Sequence, residues 1–97
     1  MNEFKLVFDK SMTCIAGYEY GEEIFKNQIR NNISYDKTII IIFPERIVKI
    51  ASSFIQGLFK EIIDNIGYEG VENNVIIKTS SEELTKQIRD RIKWKTI

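Results

Sequence analysis

Residues 47–62 have the sequence IVKIASSFIQGLFKEI, in which an apolar, strand-like run leads into a strongly amphipathic helix. After the two serines, apolar residues recur in pairs at helical spacing, which is typical of a wide buried stripe. They are Phe54, Ile55, Leu58, Phe59, Ile62, Ile63 and Ile66. The pattern predicts a helix over 52–66 that packs on a core and ends at Gly67, a residue suited to a left-handed C-terminal cap.

Two adjacent hydroxyls open this helix. Ser53, with Gln56 three residues later, is predicted to be the N-cap, because a serine hydroxyl there accepts a hydrogen bond from a free backbone N–H. Ser52 is then a second hydroxyl without a capping role. A phosphate on Ser52 would add about two negative charges at the positive end of the helix, where free amides tolerate it. Modification there would change the surface and leave the fold intact.

The segments before this helix alternate between strand and helix patterns. Apolar and polar residues alternate over 3–9, which predicts a strand, and 13–17 is predicted to form a short second strand. Residues 22–33 have the pattern of a helix. Its inner stripe is predicted to be Ile24, Phe25, Gln28, Ile29 and Ile33. The run TIIIIF at 38–43 is apolar on both faces and predicts a central strand covered on both sides, ended by Pro44, which has no N–H to donate.

The last third of the chain adds a loop, a strand and a helix. YEGVENN at 68–74 is predicted to be a loop and VIIKT at 75–79 a buried strand. A final helix is predicted over 80–94, opened by Ser80 and Glu83 at capping-box spacing. Its apolar stripe is predicted to be Leu84, Ile88 and Ile92.

This order of elements indicates one α/β domain over 1–97. The chain of 97 residues is too short to build two self-sufficient cores. Because the strands at 38–43 and 75–79 are separated by a helix, a right-handed crossover makes them parallel. We expect a small mixed, mostly parallel β-sheet of about four strands with three helices.

Counts of residue types exclude several classes of function. The chain has 14 basic and 14 acidic residues, so no net charge attracts it to nucleic acid or to a membrane surface. It has no histidine and one cysteine, Cys14, which removes the Ser-His-Asp arrangement and most zinc sites. No glycine-rich phosphate loop is present, and we expect no cofactor. The single cysteine and the N-terminal pattern indicate a cytoplasmic protein.

Three groups of polar side chains are candidates for sites of chemistry. The pairs Glu22–Glu23 and Glu82–Glu83 are interpreted as first-turn acids that complement the helix dipole, and not as catalytic carboxylates. Cys14 is predicted to be a buried spectator. A basic group near the C-terminus either binds an acidic partner or forms the solvated end of a helix. It comprises Lys86, Arg89, Arg91, Lys93 and Lys95.

The run IASSFIQGLFKEI, after a strand and a loop, resembles the helix start of STAS domains, the fold of bacterial anti-sigma-factor antagonists. With the upstream GYEYGEEIFKNQIRNN, it is more closely similar to the STAS-like domain family of unknown function, found in bacteria and prophages. In the antagonists a partner kinase of the GHKL ATPase type phosphorylates the first hydroxyl of an Asp-Ser-Ser/Thr-Gly motif. The resemblance matches Ser52 to that hydroxyl and Ser53 to the second, with Ala51 in place of the Asp and Phe54 in place of the Gly.

The resemblance implies a non-enzymatic regulatory domain that binds a protein partner, for which a GHKL-type ATPase or kinase is the candidate, and that is phosphorylated at Ser52 or Ser53. The expected contact surface is the helix at 52–66 with the loop before it. Its exposed rim is predicted to be Glu45, Arg46, Lys49, Ser52, Gln56 and Lys60. Two alternatives stay open: an assembly module that dimerises through a sheet edge at 3–9, and an enzyme, against which the missing acid–base groups argue.

Overall fold

Five strands form two parallel sheets in the computed structural model of the chain, which describes residues 2–93. They are β1 (Glu3–Lys5), β2 (Cys14–Ile15), β3 (Ile39–Ile42), β4 (Lys49–Ile50) and β5 (Val75–Lys78). The larger sheet has the order β1-β3-β5, and β2 pairs with β4. The predicted α/β class and the parallel pairing of the strands at 38–43 and 75–79 are confirmed. The described strands number five in two sheets, where the sequence predicted about four in one.

Three helices join and follow these strands. They are α1 (Tyr18–Gln28), α2 (Ser52–Asn74) and α3 (Glu82–Lys93). Helix α1 lies in the crossover from β1 to β3, and α2 lies in the crossover from β3 to β5. Because the strand order follows the chain order and such crossovers are right-handed, both helices lie on the same face of the larger sheet. They pack against each other, and α3 packs against α2.

The core between sheet and helices is apolar and centred on aromatic rings. Phe54 is fully buried, as its place in the helical stripe predicted. Its ring centroid lies 6.0 Å from that of Phe8, 6.4 Å from that of Phe43 and 5.6 Å from that of Tyr20. These distances are those at which aromatic rings attract one another, so the first turn of α2 is anchored in the middle of the core.

The two faces of the central strand differ in burial. Ile39 and Ile41 are fully buried under the helices, whereas Ile40 and Ile42 are half-buried. On the same side as Ile40, Ile76 of β5 is exposed. The prediction that this strand is covered on both sides is therefore wrong for the described residues. The reason is topological, because both crossover helices lie on one face.

The first strand is shorter than predicted. Phe4, Leu6 and Phe8 are all buried, so the alternation over 3–9 is real. The strand β1 nevertheless ends at Lys5, with one further bond from the Leu6 N–H to the Ile42 carbonyl, 2.9 Å. The partner strand β3 ends at Ile42, so nothing remains for residues 7–9 to pair with.

Helix α1 begins four residues earlier than predicted. It starts at Tyr18, after Gly17 with a φ of 106°, so Gly21 lies inside the helix and is buried. The pair Glu22–Glu23 is therefore in the second turn, and the interpretation of these acids as first-turn residues is wrong. Gly21 resembled a boundary because glycine is a poor helix former, but its close packing explains its presence in the helix.

Gly67 ends the straight part of α2, as predicted, but the chain does not become a loop. Gly67 has a φ of 72° and a ψ of 173°, and helical structure resumes from Tyr68 to Asn74. Val71 is buried in this second part, and its carbonyl accepts a hydrogen bond from the Val75 N–H. The prediction of a loop at 68–74 is wrong, because packing of Val71 on the core stabilises a short helix of low intrinsic propensity.

Helix α3 is capped by a different serine from the one predicted. The Leu84 N–H donates to Ser81 Oγ, 3.1 Å, and the helix begins at Glu82. The hydroxyl of Ser80 instead donates to the Ile47 carbonyl, 3.1 Å. Leu84, Ile88 and Ile92 are buried as predicted. The predictions for Trp94 and Lys95 lie outside the described residues.

Candidate interaction surface at the start of helix α2

The two serines both lie inside the first turn of α2. Ala51 is the N-cap, with extended backbone angles and no side-chain cap, and its N–H donates to the Ile15 carbonyl, 2.8 Å. The helix therefore begins at Ser52, and the prediction that Ser53 is the N-cap is wrong. The bond between Ala51 and Ile15 positions this start, since it continues the pairing of β4 with β2.

Ser53 contacts helix α1. Its Oγ accepts a hydrogen bond from the N–H of Gly17, 3.1 Å, and Gly17 is the residue just before α1. The first N–H groups of a helix have no partners within it. Ser53 therefore satisfies one backbone donor at the start of α1, 36 residues away in sequence.

Two glycines let α1 and α2 approach closely beside this serine. A Cβ at Gly57 would lie 2.0 Å from the carbonyl oxygen of Tyr18, and a Cβ at Gly21 would lie 2.3 Å from that of Phe54. Both distances join backbone to backbone, so no side-chain rotation could relieve them. Ser53 and Gly57 of the SSFIQG segment thus attach α2 to α1.

Ser52 has a different environment from its neighbour. Its side chain is half-buried, and its hydroxyl makes no hydrogen bond to any of residues 2–93. Arg91 on α3 donates through its Nη1 to the carbonyl of Ile50, 2.6 Å. Ile50 is two residues before Ser52, so their Cα atoms are at most about 7 Å apart.

The C-terminal basic group is only partly solvated. Arg89 and Arg91 are half-buried, and both donate to backbone carbonyls, Arg89 to Val75 and Arg91 to Ile50. Lys86 is exposed on α3. The interpretation of the whole group as a solvated helix end is wrong for the two arginines. They hold α3 against the end of β4 and the start of β5.

The predicted rim is only partly a single surface. Ser52, Gln56 and Lys60 follow one another at four-residue spacing on α2, so they share a stripe of the helix. Lys60 ends this stripe in an ion pair with Asp64, 2.9 Å, and this hydrogen bond raises the pKa of Lys60. Lys49 is exposed on β4, three residues before Ser52. Glu45 is also exposed, in the turn before β4.

Arg46 does not belong to this rim. Its Nη2 donates to the carbonyls of Phe8 and Asp9, at 2.6 and 3.0 Å, and its side chain is half-buried. The prediction that Arg46 is exposed is therefore wrong. Its role is to satisfy carbonyl groups where the chain leaves the edge of β1.

Gln28 is a residue that the sequence pattern placed in the inner stripe without a role. Its side-chain amide makes two hydrogen bonds to Val7, accepting from the N–H at 2.8 Å and donating to the carbonyl at 2.9 Å. It thus occupies the backbone groups that an added strand would need beside Val7. In the sequence, the one sign of this contact is that Gln28 is a polar residue within an otherwise apolar helical stripe.

The remaining candidates do not form a catalytic arrangement. Cys14 is exposed, so its prediction as a buried residue is wrong, because its side of β2 faces away from the core. Glu82 and Glu83 lie in the first turn of α3, as predicted. Among residues 2–93, no cluster of three carboxylate or cysteine side chains is placed to hold a metal ion. None of the helices in this part of the chain is long and apolar enough to cross a membrane.

A groove lies between the second part of α2 and α3. Its volume is about 1010 Å³, and charged side chains of both signs line it. They include Glu69, Glu82, Asp90, Lys86 and Arg89. Of the side chains considered as candidates in the sequence, Glu82, Lys86 and Arg89 reach it.

Comparisons of this chain with models of known protein families, with curated proteins and with solved structures found no match.

Proposed function

We propose that this chain is a STAS-like regulatory domain that acts without catalysis, by binding a protein partner at the start of α2. Phosphorylation of Ser52 by a partner kinase of the GHKL ATPase type controls that binding. In this proposal the partner contacts Ser52 and Gln56 on α2 together with Lys49 on β4. The site works as a bacterial or phage cytoplasmic switch, with no cofactor.

The observation that supports the proposal is the difference in hydrogen bonding between the two serines. The Ser53 hydroxyl is bonded to Gly17 in the contact between α1 and α2, whereas the Ser52 hydroxyl makes no bond within residues 2–93. A kinase can transfer phosphate only to a hydroxyl that is free to react. Ser52 therefore suits the role of acceptor, and phosphate on Ser53 would displace a bond that positions α1.

The charges around Ser52 favour a phosphorylated state. A phosphate carries about two negative charges and accepts hydrogen bonds from free amides at a helix N-terminus. Within the described residues, the first turn of α2 contains no acidic side chain to repel it. The guanidinium of Arg91 is bonded to the carbonyl of Ile50, which lies two residues before Ser52 in the chain. Ala51 supplies no carboxylate, so any group that activates Ser52 comes from the partner.

The test combines phosphosite mapping with capture of partners. Protein isolated from its native host should contain phosphoserine at position 52 and none at 53. Ser52→Ala and Ser52→Asp should then capture different partners, because only the second has a negative charge at the helix start. Ser81→Asn is the matched control, since it changes a serine at the start of α3 and keeps a capping side chain.

Two results would count against the proposal. One is the absence of phosphoserine at 52 under every growth condition sampled. The other is an identical set of partners for Ser52→Ala, Ser52→Asp and Gln56→Ala, with all three variants folded as judged by circular dichroism.

The alternative of an assembly module that pairs through the edge of β1 has weaker support. Gln28 occupies the outward backbone groups of Val7, so the open edge is reduced to the region of Glu3 and Lys5. Two residues provide few ladder bonds for a second strand.

A further inference from the structure

The face of the larger sheet that is turned away from the helices is apolar in its centre and charged at its sides. Residues of this open sheet face lie in two rows across the strands. One row is Glu3, Ile40 and Ile76, and the other is Lys5, Ile42 and Lys78. Val7 continues the same side of the chain after β1 and is 70% exposed, and Ile76 is 43% exposed. The face thus combines two exposed apolar side chains, Val7 and Ile76, with the charges of Glu3, Lys5 and Lys78.

We infer that the open sheet face binds a second copy of this chain, face to face, with the strands of the two copies antiparallel. The two-fold axis lies between the copies and is perpendicular to the strands. With this axis each strand faces the same strand of the second copy, and the row that contains Glu3 faces the row that contains Lys5. Glu3 then faces Lys5 of the second copy, and Lys5 faces its Glu3. Ile40 faces Ile42 of the second copy, and Ile76 faces its Lys78.

Charge complementarity selects this arrangement among the alternatives. Moving the axis onto either row places Glu3 on Glu3 or Lys5 on Lys5. A two-fold axis parallel to the strands instead places Lys5 on Lys78. Only the axis between the two rows puts opposite charges together, and like charges across an interface are strongly unfavourable. A face that is complementary to itself in one register is what an isologous dimer requires.

Sheet twist and size are compatible with a weak dimer. Aligned sheets pack at about 30°, and neighbouring strands are about 4.8 Å apart, so the charges on β1 shift by about 2.5 Å, within the reach of a lysine side chain. The face covers about 14 by 13 Å, or roughly 180 Å², well below the about 800 Å² per partner of a stable complex. An area this small supports at most a weak dimer, so the concentrations tested extend from about 10 µM to about 1 mM.

Sedimentation velocity of the full chain over this concentration range tests the inference. Glu3→Lys and Lys5→Glu should each weaken the dimer at least about tenfold, because each places like charges together twice. An equimolar mixture of the two variants should restore it, since every facing pair is then of opposite charge. Ile76→Lys should also weaken the dimer, by placing a cation against Lys78 of the second copy. Lys26→Glu, an exposed charge reversal on α1, is the matched control and should leave it unchanged.

Three outcomes would overturn the inference. The first is a monomer at every concentration up to about 1 mM. The second is a mixture of the two charge-reversal variants that stays monomeric although each variant is folded. The third is an Ile76→Lys variant that dimerises like the unmodified chain, which would place the contact at the edge of β1 instead. The inference does not depend on the proposed role of Ser52, which lies at the end of a helix on the other side of the sheet.

Discussion

Ser52 and Ser53 are neighbours in sequence but are held by different parts of the fold. Successive helical residues differ by about 100° in direction, so the two side chains meet different surroundings. Helical geometry alone cannot say which of two serines finds a partner. That depends on Gly17, which the fold brings to Ser53 from the start of another helix.

Alanine at each serine should separate the two roles. Ser53→Ala leaves the half-buried N–H of Gly17 without its acceptor, so the free energy of unfolding should fall by about 1–2 kcal/mol. Ser52→Ala removes no bond and should change it by less than about 0.5 kcal/mol. Urea unfolding followed by circular dichroism measures both. Equal losses for the two variants would show that the Ser53–Gly17 bond does not stabilise the fold.

Gly57 is the second residue-scale test. Its Cβ would lie 2.0 Å from the Tyr18 carbonyl oxygen, so Gly57→Ala must push α1 away from α2. We expect a loss of about 1–3 kcal/mol, although alanine is the better helix former by about 1 kcal/mol.

The control for this substitution is Asn73→Ala at an exposed position of the same helix. It should change the free energy of unfolding by less than about 0.5 kcal/mol. A Gly57→Ala variant as stable as the unmodified chain would contradict the close contact of the two helices.

At the scale of secondary-structure elements, periodicity predicted the helices well and their ends poorly. The stripe from Phe54 to Ile66 is buried or half-buried on one side of α2, and α3 buries its three stripe residues. The ends depend on contacts with other elements, as the start of α1 at Tyr18 and the cap by Ser81 illustrate. Where two adjacent residues could both cap a helix, the sequence does not decide which one does, because that depends on the tertiary contacts of each side chain. Ser80 does not cap α3, because its hydroxyl donates to the carbonyl of Ile47.

Gly67 should be sensitive to substitution for a reason opposite to that of Gly57. Nothing lies within 4 Å of a Cβ built at Gly67, so the cost of Gly67→Ala arises from its φ of 72° alone. We expect the free energy of unfolding to fall by about 1–3 kcal/mol.

Gly67→Asn distinguishes two explanations of this cost. Asparagine tolerates the left-handed helical region, but the ψ of 173° at Gly67 lies outside that region. The Asn variant should therefore be no more stable than the Ala variant in thermal unfolding. A clear rescue by asparagine would mean that the break in α2 adopts an ordinary left-handed cap in solution.

At the scale of the whole molecule, burial of tyrosines couples stability to alkaline pH. Burial raises the pKa of Tyr20 and of Tyr35 above the usual value of about 10. A group whose pKa is higher in the folded state stabilises the fold fully below its unfolded pKa and loses that contribution as pH rises through its folded pKa. Stability should therefore decline above about pH 10.

The double variant Tyr20→Phe, Tyr35→Phe tests this coupling. Phenylalanine keeps the aromatic ring and cannot ionise. The free energy of unfolding of the double variant should therefore fall less between about pH 8 and about pH 11, on either side of the usual tyrosine pKa of about 10, than that of the unmodified chain. Urea unfolding at the two pH values measures the difference. Parallel decline of both proteins would assign the alkaline loss to other groups.

The sequence by itself determined the class of fold, because its causes are local and repetitive. The stripe at 54–66, the apolar run at 38–43 and the alternation of strands with helices predict a parallel α/β sheet whatever the details of contact. The pattern also predicted that Phe54 is in the core. Composition alone removed histidine chemistry, since no histidine is present.

Only the tertiary structure decided which polar residues are engaged and which face of the sheet is open. Ser53 with Gly17, Arg91 with Ile50 and Gln28 with Val7 join residues 21 to 41 positions apart, and no periodicity encodes such pairs. A polar side chain has the same pattern in sequence whether it meets solvent or a distant carbonyl. One face of the sheet is open because both right-handed crossovers place their helices on the other face. The sequence of β3 is apolar on both faces and therefore predicted a strand buried on both sides.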